Sequence, residues 1–182
     1  MKEFVLNLLL AIDRNLIEYI KIPTNGNLKS NEKSLEELSK IVKQCKKENI
    51  FIGILGSWAL TMYLNQEFKN IDDIDLLTND VSSQPLKKIL LELGYREGIS
   101  NWPNMVCFEK NGIGLDIYSV DNKKHIYYGL ILKTAKIEYQ GVEYPVVNKE
   151  TLYKMYKKVF MSPKRSLKKD LVKFKILKNI KD

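Results

Sequence analysis

The sequence has few residues that bind soft metals. Its 182 residues include two cysteines, Cys45 and Cys107, which lie in apolar surroundings without Cys-x-x-Cys spacing, and a single histidine, His125. A structural zinc site takes four ligands, mainly cysteine and histidine. The chain therefore lacks the residues for such a site, and any metal that it binds would have to be held by oxygen atoms.

Long hydrophobic runs are also missing. The apolar stretch Phe4 to Ile12 is too short to cross a bilayer, has charged residues on both sides and lacks a small-residue cleavage site. These features favour a cytoplasmic protein with no membrane partner.

The excess of positive over negative charge lies at the end of the chain. The net charge is +8, and residues 148–182 contain twelve basic and three acidic residues, so the first 147 residues together carry −1. Such a segment suits an anionic partner, either the phosphates of a nucleotide or nucleic acid. Solvated lysine-rich helix faces are about equally common, and this alternative remains open.

Helix and strand patterns alternate along the chain. A capping box at Ser34 predicts a helix from there to about Lys47, and the apolar run Ile50 to Leu55 predicts a strand covered on both faces. Gly56-Ser57 ends this strand, and a short helix should begin at once. A second strand is expected over residues 70–78, followed by a helix that Ser83 and Pro85 begin and Gly94 ends.

Two hairpins and two helices complete the pattern. Asn111-Gly112 and Gln140-Gly141 are turn signals between strand-like runs, and helices are expected after Asn148 and from Ser162. The prediction is an α+β fold whose mixed sheet is flanked by helices, with basic helices at the C-terminus. We expect one domain over residues 1–182, with N-terminal helices at 1–49, a sheet core at 50–147 and a basic helical segment at 148–182.

Carboxylates are concentrated on the second predicted strand. Residues two apart on a strand share a face, so Asp73 and Asp75 should point the same way between apolar neighbours. Asp72 makes the choice of pair ambiguous by one residue, and the strand period favours Asp73 with Asp75. Two like charges this close need compensation, and Mg²⁺ commonly binds one or two carboxylates.

Asp116 is a third acid set between apolar residues of a predicted strand. If that strand lies beside residues 70–78, the three acids can hold two metal ions that clamp a transferring phosphoryl group. The Gly56-Ser57 turn would then bind a polyphosphate through backbone N–H groups and the Ser57 hydroxyl. Each piece alone has a simpler explanation: a solvated strand end or an ion pair, a helix cap, or an edge residue.

Taken together, these segments resemble the DNA polymerase beta-like nucleotidyltransferase superfamily. The matching segments read FIGILGSWAL, DIDLL and LDI, which place Gly56, Ser57, Asp73, Asp75 and Asp116 at the motif positions. The resemblance implies two Mg²⁺ ions and transfer of a nucleoside monophosphate from an NTP to a hydroxyl, with release of pyrophosphate. It makes Asp73 and Asp75 metal ligands, and Asp116 the third ligand or the base.

Among these proteins, the chain looks most like the small lincosamide and aminoglycoside nucleotidyltransferases and the AbiEii-type toxin nucleotidyltransferases. The segment IEYQGVEYPVVNKETLYKMYK resembles theirs, which implies that Lys154, with Lys157 and Lys158 as alternatives, faces the triphosphate. The function expected first is AMP transfer from ATP to a hydroxyl of such an antibiotic. The alternatives are modification of tRNA or a protein, as in the toxins, and a catalytically inert protein that binds a nucleotide or a partner.

Overall fold

The computed structural model describes residues 28–65, 71, 73–100, 105–120, 126–127, 130–131, 133–160 and 177–178. Residues 1–27, the first part of the segment in which N-terminal helices are expected, and all but two residues of the helix expected from Ser162 lie outside this part of the chain. Within it, no helix is long and apolar enough to span a membrane.

The described residues form four helices and nine strands. The helices are α1 (Leu28–Lys47), α2 (Gly56–Leu64), α3 (Asp80–Glu92) and α4 (Lys149–Phe160). The first strands are β1 (Ile52–Ile54), β2 (Asp73–Asn79), β3 (Arg96–Glu97), β4 (Met105–Lys110) and β5 (Ile113–Val120). The later strands are β6 (Ile126–Tyr127), β7 (Leu130–Ile131), β8 (Thr134–Tyr139) and β9 (Val142–Val147).

Seven of these strands form one mixed sheet in the order β3-β4-β5-β2-β1-β9-β8, while β6 and β7 pair separately. The central strand β2 runs parallel to β5 and antiparallel to β1. The predicted α+β class with a mixed sheet is therefore confirmed.

Both predicted hairpins are present, and their turns explain why. Asn111 and Gly112 have φ of 52° and 79°, and Gln140 and Gly141 have φ of 49° and 75°. Two consecutive residues with positive φ are typical of the tight turn that matches the twist of paired strands. These turns fix the pairing of β4 with β5 and of β8 with β9.

The sheet and helices share one core of buried apolar side chains. Strand β1 is buried along its whole length, as its continuous apolar sequence predicts. In β2, Ile74 and Leu76 are fully buried, whereas Asp73 and Asp75 on alternate positions are half-buried. The strand therefore directs its acids away from the face on which Ile74 and Leu76 pack.

The predicted start of α1 at Ser34 is wrong. The helix begins six residues earlier, at Leu28, and Ser34 is a buried residue inside it. Its hydroxyl accepts a hydrogen bond from the indole nitrogen of Trp58 at 3.1 Å. Ser34 therefore serves a contact between helices, and the likeness to a capping box is coincidental. The predicted end at Lys47 is confirmed.

The predicted start of α3 is also wrong. The helix begins at Asp80, directly after β2, so Pro85 lies in its second turn and not in its first. Proline is well tolerated only near a helix start, which made Ser83 the expected cap. The apolar stripe of Leu86, Ile89 and Leu90 is buried as expected. Gly94, with φ of 86°, follows the helix end.

A buried ion pair ties α1 to β4. The ammonium of Lys110 lies 2.7 Å from one carboxylate oxygen of Glu37, and Lys40 lies 2.8 Å from the other. Burial raises the pKa of Glu37, but hydrogen bonds and charges from Lys110 and Lys40 outweigh it, so the net pKa is below the ordinary value of 4.5. The pair favours the charged carboxylate and stabilises the fold where Glu37 is ionised.

We expect Glu37→Gln to lower the free energy of unfolding at neutral pH by about 1–3 kcal/mol, because it leaves the mostly buried Lys110 ammonium without its carboxylate. A lowered folded-state pKa gives stability that is present above pH 4.5 and lost as the pH falls through the folded-state value. The difference between wild type and variant should therefore shrink below pH 4.5.

Urea unfolding across this pH range measures the effect. Glu92→Gln is the matched control, because Glu92 lies 3.9 Å from Lys88 in an exposed pair and should change stability by less than about 0.5 kcal/mol. A Glu37→Gln variant no less stable than Glu92→Gln at neutral pH would contradict the expectation.

Candidate active site

Three carboxylates meet where β2 and β5 run side by side. Asp73 and Asp75 occupy alternate positions of β2, and Asp75 lies directly opposite Asp116 in the parallel register. One carboxylate oxygen of each residue lies within 4.8 Å of those of the other two. We call Asp73, Asp75 and Asp116 the acidic cluster. The predicted adjacency of the two strands is confirmed.

All three acids are half-buried, and all of their potential ligand atoms are carboxylate oxygens. Partial burial makes mutual repulsion costly, because less water screens the charges. Hard oxygen donors at this spacing suit Mg²⁺ or another hard divalent cation. The acidic cluster therefore fits the metal that the sequence predicts.

Gly56 lies against the acidic cluster. The backbone N–H of Leu55 donates to the carbonyl of Asp75 at 2.9 Å. This hydrogen bond holds the residue before α2 against β2. Gly56 has φ of 65°, and a Cβ built on it would lie 1.9 Å from Oδ2 of Asp75. Only glycine lets the helix start approach this carboxylate so closely.

The start of α2 presents backbone donors beside the acidic cluster. No side-chain cap closes this end at Leu55, and Ser57 is half-buried in the first turn. The first N–H groups of a helix have no partner within the helix and readily bind phosphate oxygens. Trp58, fully buried and bonded to Ser34, anchors this turn to α1.

Cys107 lies on the other side of Asp116. It pairs with Asp116 across β4 and β5, which places its thiol beside the Asp116 carboxylate, and Ser100 is a second polar neighbour. Burial, followed by the contact with Asp116, raises the pKa of Cys107, which keeps the thiol protonated at neutral pH. In the sequence, Cys107 stands out only as a residue that could bind zinc, and nothing in its immediate neighbours shows that it adjoins the acidic cluster.

Lys154, the predicted triphosphate-facing lysine, lies in α4. Its exposed ammonium contacts the carboxylate of Glu150 one turn earlier, and this contact lowers the pKa of Glu150. Lys157 is half-buried on the same helix, and the side chain of Lys158 lies outside the described part. The role of Lys154 thus stays a prediction.

By sequence, the chain matches no known family model and no curated protein. By structure, it is similar to ANT(2″)-Ia in complex with adenylyl-2″-tobramycin, with a TM-score of 0.65 and 17% identity over 80% of this chain and 87% of that one. It is also similar to the lincosamide antibiotic adenylyltransferase LnuA in its lincomycin-bound form, with a TM-score of 0.61 and 18% identity over 80% and 97% of the two chains.

A third similar structure is an antigenic nucleotidyltransferase-like protein from Paracoccidioides brasiliensis. It has a TM-score of 0.56 and 12% identity, and the match covers 80% of this chain and 75% of that one. The likeness spans most of each chain, and at these identities it concerns the arrangement of helices and strands. The chain therefore has the nucleotidyltransferase fold.

Proposed function

We propose that this protein is a Mg²⁺-dependent nucleotidyltransferase that transfers AMP from ATP to a hydroxyl of a small molecule, such as a lincosamide or an aminoglycoside antibiotic. The observation that carries the proposal is the acidic cluster beside the start of α2. Two structures of the same fold, one holding adenylyl-2″-tobramycin and the other lincomycin, support the acceptor class.

The acidic cluster would hold the metal. Asp73 and Asp75 would bind two Mg²⁺ ions, with Asp116 as the third ligand. Bound there, the metal would supply Lewis-acid stabilisation of the charge that develops on the phosphate oxygens. Three carboxylates within 4.8 Å repel one another, so folding and metal binding should be coupled.

The remaining roles are proposed from the family resemblance and from the start of α2 beside the acidic cluster. The N–H groups of Gly56 and Ser57 would bind the triphosphate and hold its α-phosphorus in line with the acceptor. Asp116 would receive the proton as the acceptor oxygen forms its bond to the α-phosphorus. The bond between the α-phosphorus and the bridging oxygen breaks, and pyrophosphate leaves. The Lys154 ammonium would leave the Glu150 carboxylate and bind a phosphate oxygen of the triphosphate.

The test is pyrophosphate release from each of the four NTPs with Mg²⁺, against a panel of lincosamides and aminoglycosides, with Asp73→Asn as the inactive control. We expect release with ATP that depends on one small molecule and disappears in the variant. A wild-type protein that releases pyrophosphate with none of these acceptors would contradict the small-molecule proposal.

A second candidate is transfer to tRNA, which the charge of the C-terminal segment favours. Residues 148–182 contain twelve basic and three acidic residues. A basic surface binds RNA with an affinity that falls steeply as salt is added. Bulk tRNA therefore belongs in the same panel. Release only with tRNA would replace the antibiotic acceptor, and no tRNA binding at low salt would remove this candidate.

A further inference from the structure

A row of three side chains crosses the acidic cluster. Asp75, Asp116 and Cys107 occupy matched positions on three adjacent strands, β2, β5 and β4. Side chains opposite each other on neighbouring strands share a face and lie about 5 Å apart. Asp116 thus has a carboxylate on one side and a hydrogen-bond donor on the other.

The Cys107 thiol has two polar neighbours. The backbone N–H of Gly98 donates to the carbonyl of Cys107 at 2.8 Å, which fastens the segment after β3 to β4. Ser100 lies in that segment, and Asp116 is the register partner of Cys107 on β5. The thiol is therefore placed where it can donate a hydrogen bond to the Asp116 carboxylate.

We infer that Cys107 is a positioning residue that holds the Asp116 carboxylate in the orientation needed for metal binding. This inference rests on the proposed function. Repulsion from Asp75 favours rotation of Asp116 away from the acidic cluster, and a hydrogen bond from the Cys107 thiol to one carboxylate oxygen would oppose that rotation. The other oxygen would then stay directed at Asp73 and Asp75. Partners of this kind, which orient a ligand without binding the metal, affect metal affinity about 10- to 100-fold.

The competing explanation is that Cys107 only fills space. Two substitutions separate the explanations because they change different properties of the side chain. Cys107→Val fills the same space with one additional methyl group and removes the donor, whereas Cys107→Ser keeps a donor and is smaller. Packing predicts that the valine variant behaves like wild type and the serine variant is impaired. Positioning predicts the reverse order.

The experiment measures Mn²⁺ binding to the full chain without nucleotide by electron paramagnetic resonance. The kcat and KM of nucleotidyl transfer are measured for the same variants. For Cys107→Val we expect Mn²⁺ affinity and kcat to fall about 10-fold, with little change in the KM for the acceptor. Cys107→Ser should stay within about threefold of wild type. Cys45→Val is the control, since Cys45 is buried in α1 and belongs to the apolar core.

The outcomes also separate this inference from the proposed function. If Asp75→Asn abolishes Mn²⁺ binding while Cys107→Val leaves it unchanged, the positioning role of Cys107 is overturned and the metal site stands. A wild-type protein that binds no Mn²⁺ would overturn both. A valine variant with weak binding, restored in the serine variant, supports the positioning role.

Discussion

Asp75→Asn should lower the rate of nucleotidyl transfer about a thousandfold or more while leaving the fold intact. An amide is a poor ligand for Mg²⁺, and the lost charge stabilisation of several kcal/mol corresponds to about three powers of ten in rate. We expect a similar loss for Asp73→Asn, because both residues project from the same face of β2 into the acidic cluster. Pyrophosphate release under saturating ATP and acceptor measures the effect.

The stability of these variants distinguishes a metal site from a structural ion pair. Without divalent cations, Asp75→Asn should have a Tm equal to or above that of wild type, because one of two adjacent like charges is removed. Added Mg²⁺ should raise the Tm of wild type more than that of the variant, since only the intact site binds it well. An ion pair would instead lose stability on mutation.

Glu138→Gln is the control for Asp75→Asn. It also changes a carboxylate to an amide, but at an exposed position of the edge strand β8. It should leave both the rate and the Mg²⁺-dependent rise in Tm unchanged. Wild-type activity in Asp75→Asn would show that the metal assignment is wrong, whatever its effect on Tm.

Much of the acidic cluster could be predicted because its determinants are local. The period of β2 places Asp73 and Asp75 on one face, and the Asn111-Gly112 turn fixes how β4 pairs with β5. Even the neighbour Cys107 could have been found by counting outward from that turn, which places it opposite Asp116. The adjacency of β2 and β5 is only a condition at the level of the sequence, and the structure confirms it.

What the sequence could not reveal depends on contacts between distant segments. Ser34 has the pattern of a helix cap, but its hydroxyl is used by Trp58, and only the packing of α2 on α1 brings the two together. The start of α3 at Asp80 leaves Pro85 in a turn where local rules disfavour it. Likewise, no local pattern shows how closely Gly56 approaches Asp75.

We expect Gly56→Ala to abolish transfer nearly as completely as loss of Asp75. The new Cβ would lie 1.9 Å from Oδ2, 2.8 Å from Cγ and 3.1 Å from Cβ of Asp75, so the carboxylate or the start of α2 must move. Either movement separates the Asp75 carboxylate from the helix N–H groups. The φ of 65° adds about 1–2 kcal/mol of backbone strain for any residue with a Cβ. Denaturant unfolding and pyrophosphate release measure the two effects.

Gly112→Ala separates backbone strain from the collision with Asp75. Gly112 has φ of 79°, and a Cβ there would meet nothing within 4 Å, so this variant has the strain without the contact. It should lose about 1–2 kcal/mol of unfolding free energy and keep wild-type activity. If Gly56→Ala and Gly112→Ala transferred nucleotide equally well, the close approach of Gly56 to Asp75 would have no part in catalysis. A selective loss in Gly56→Ala would show that the chain needs glycine here for the position of a carboxylate as well as for the turn.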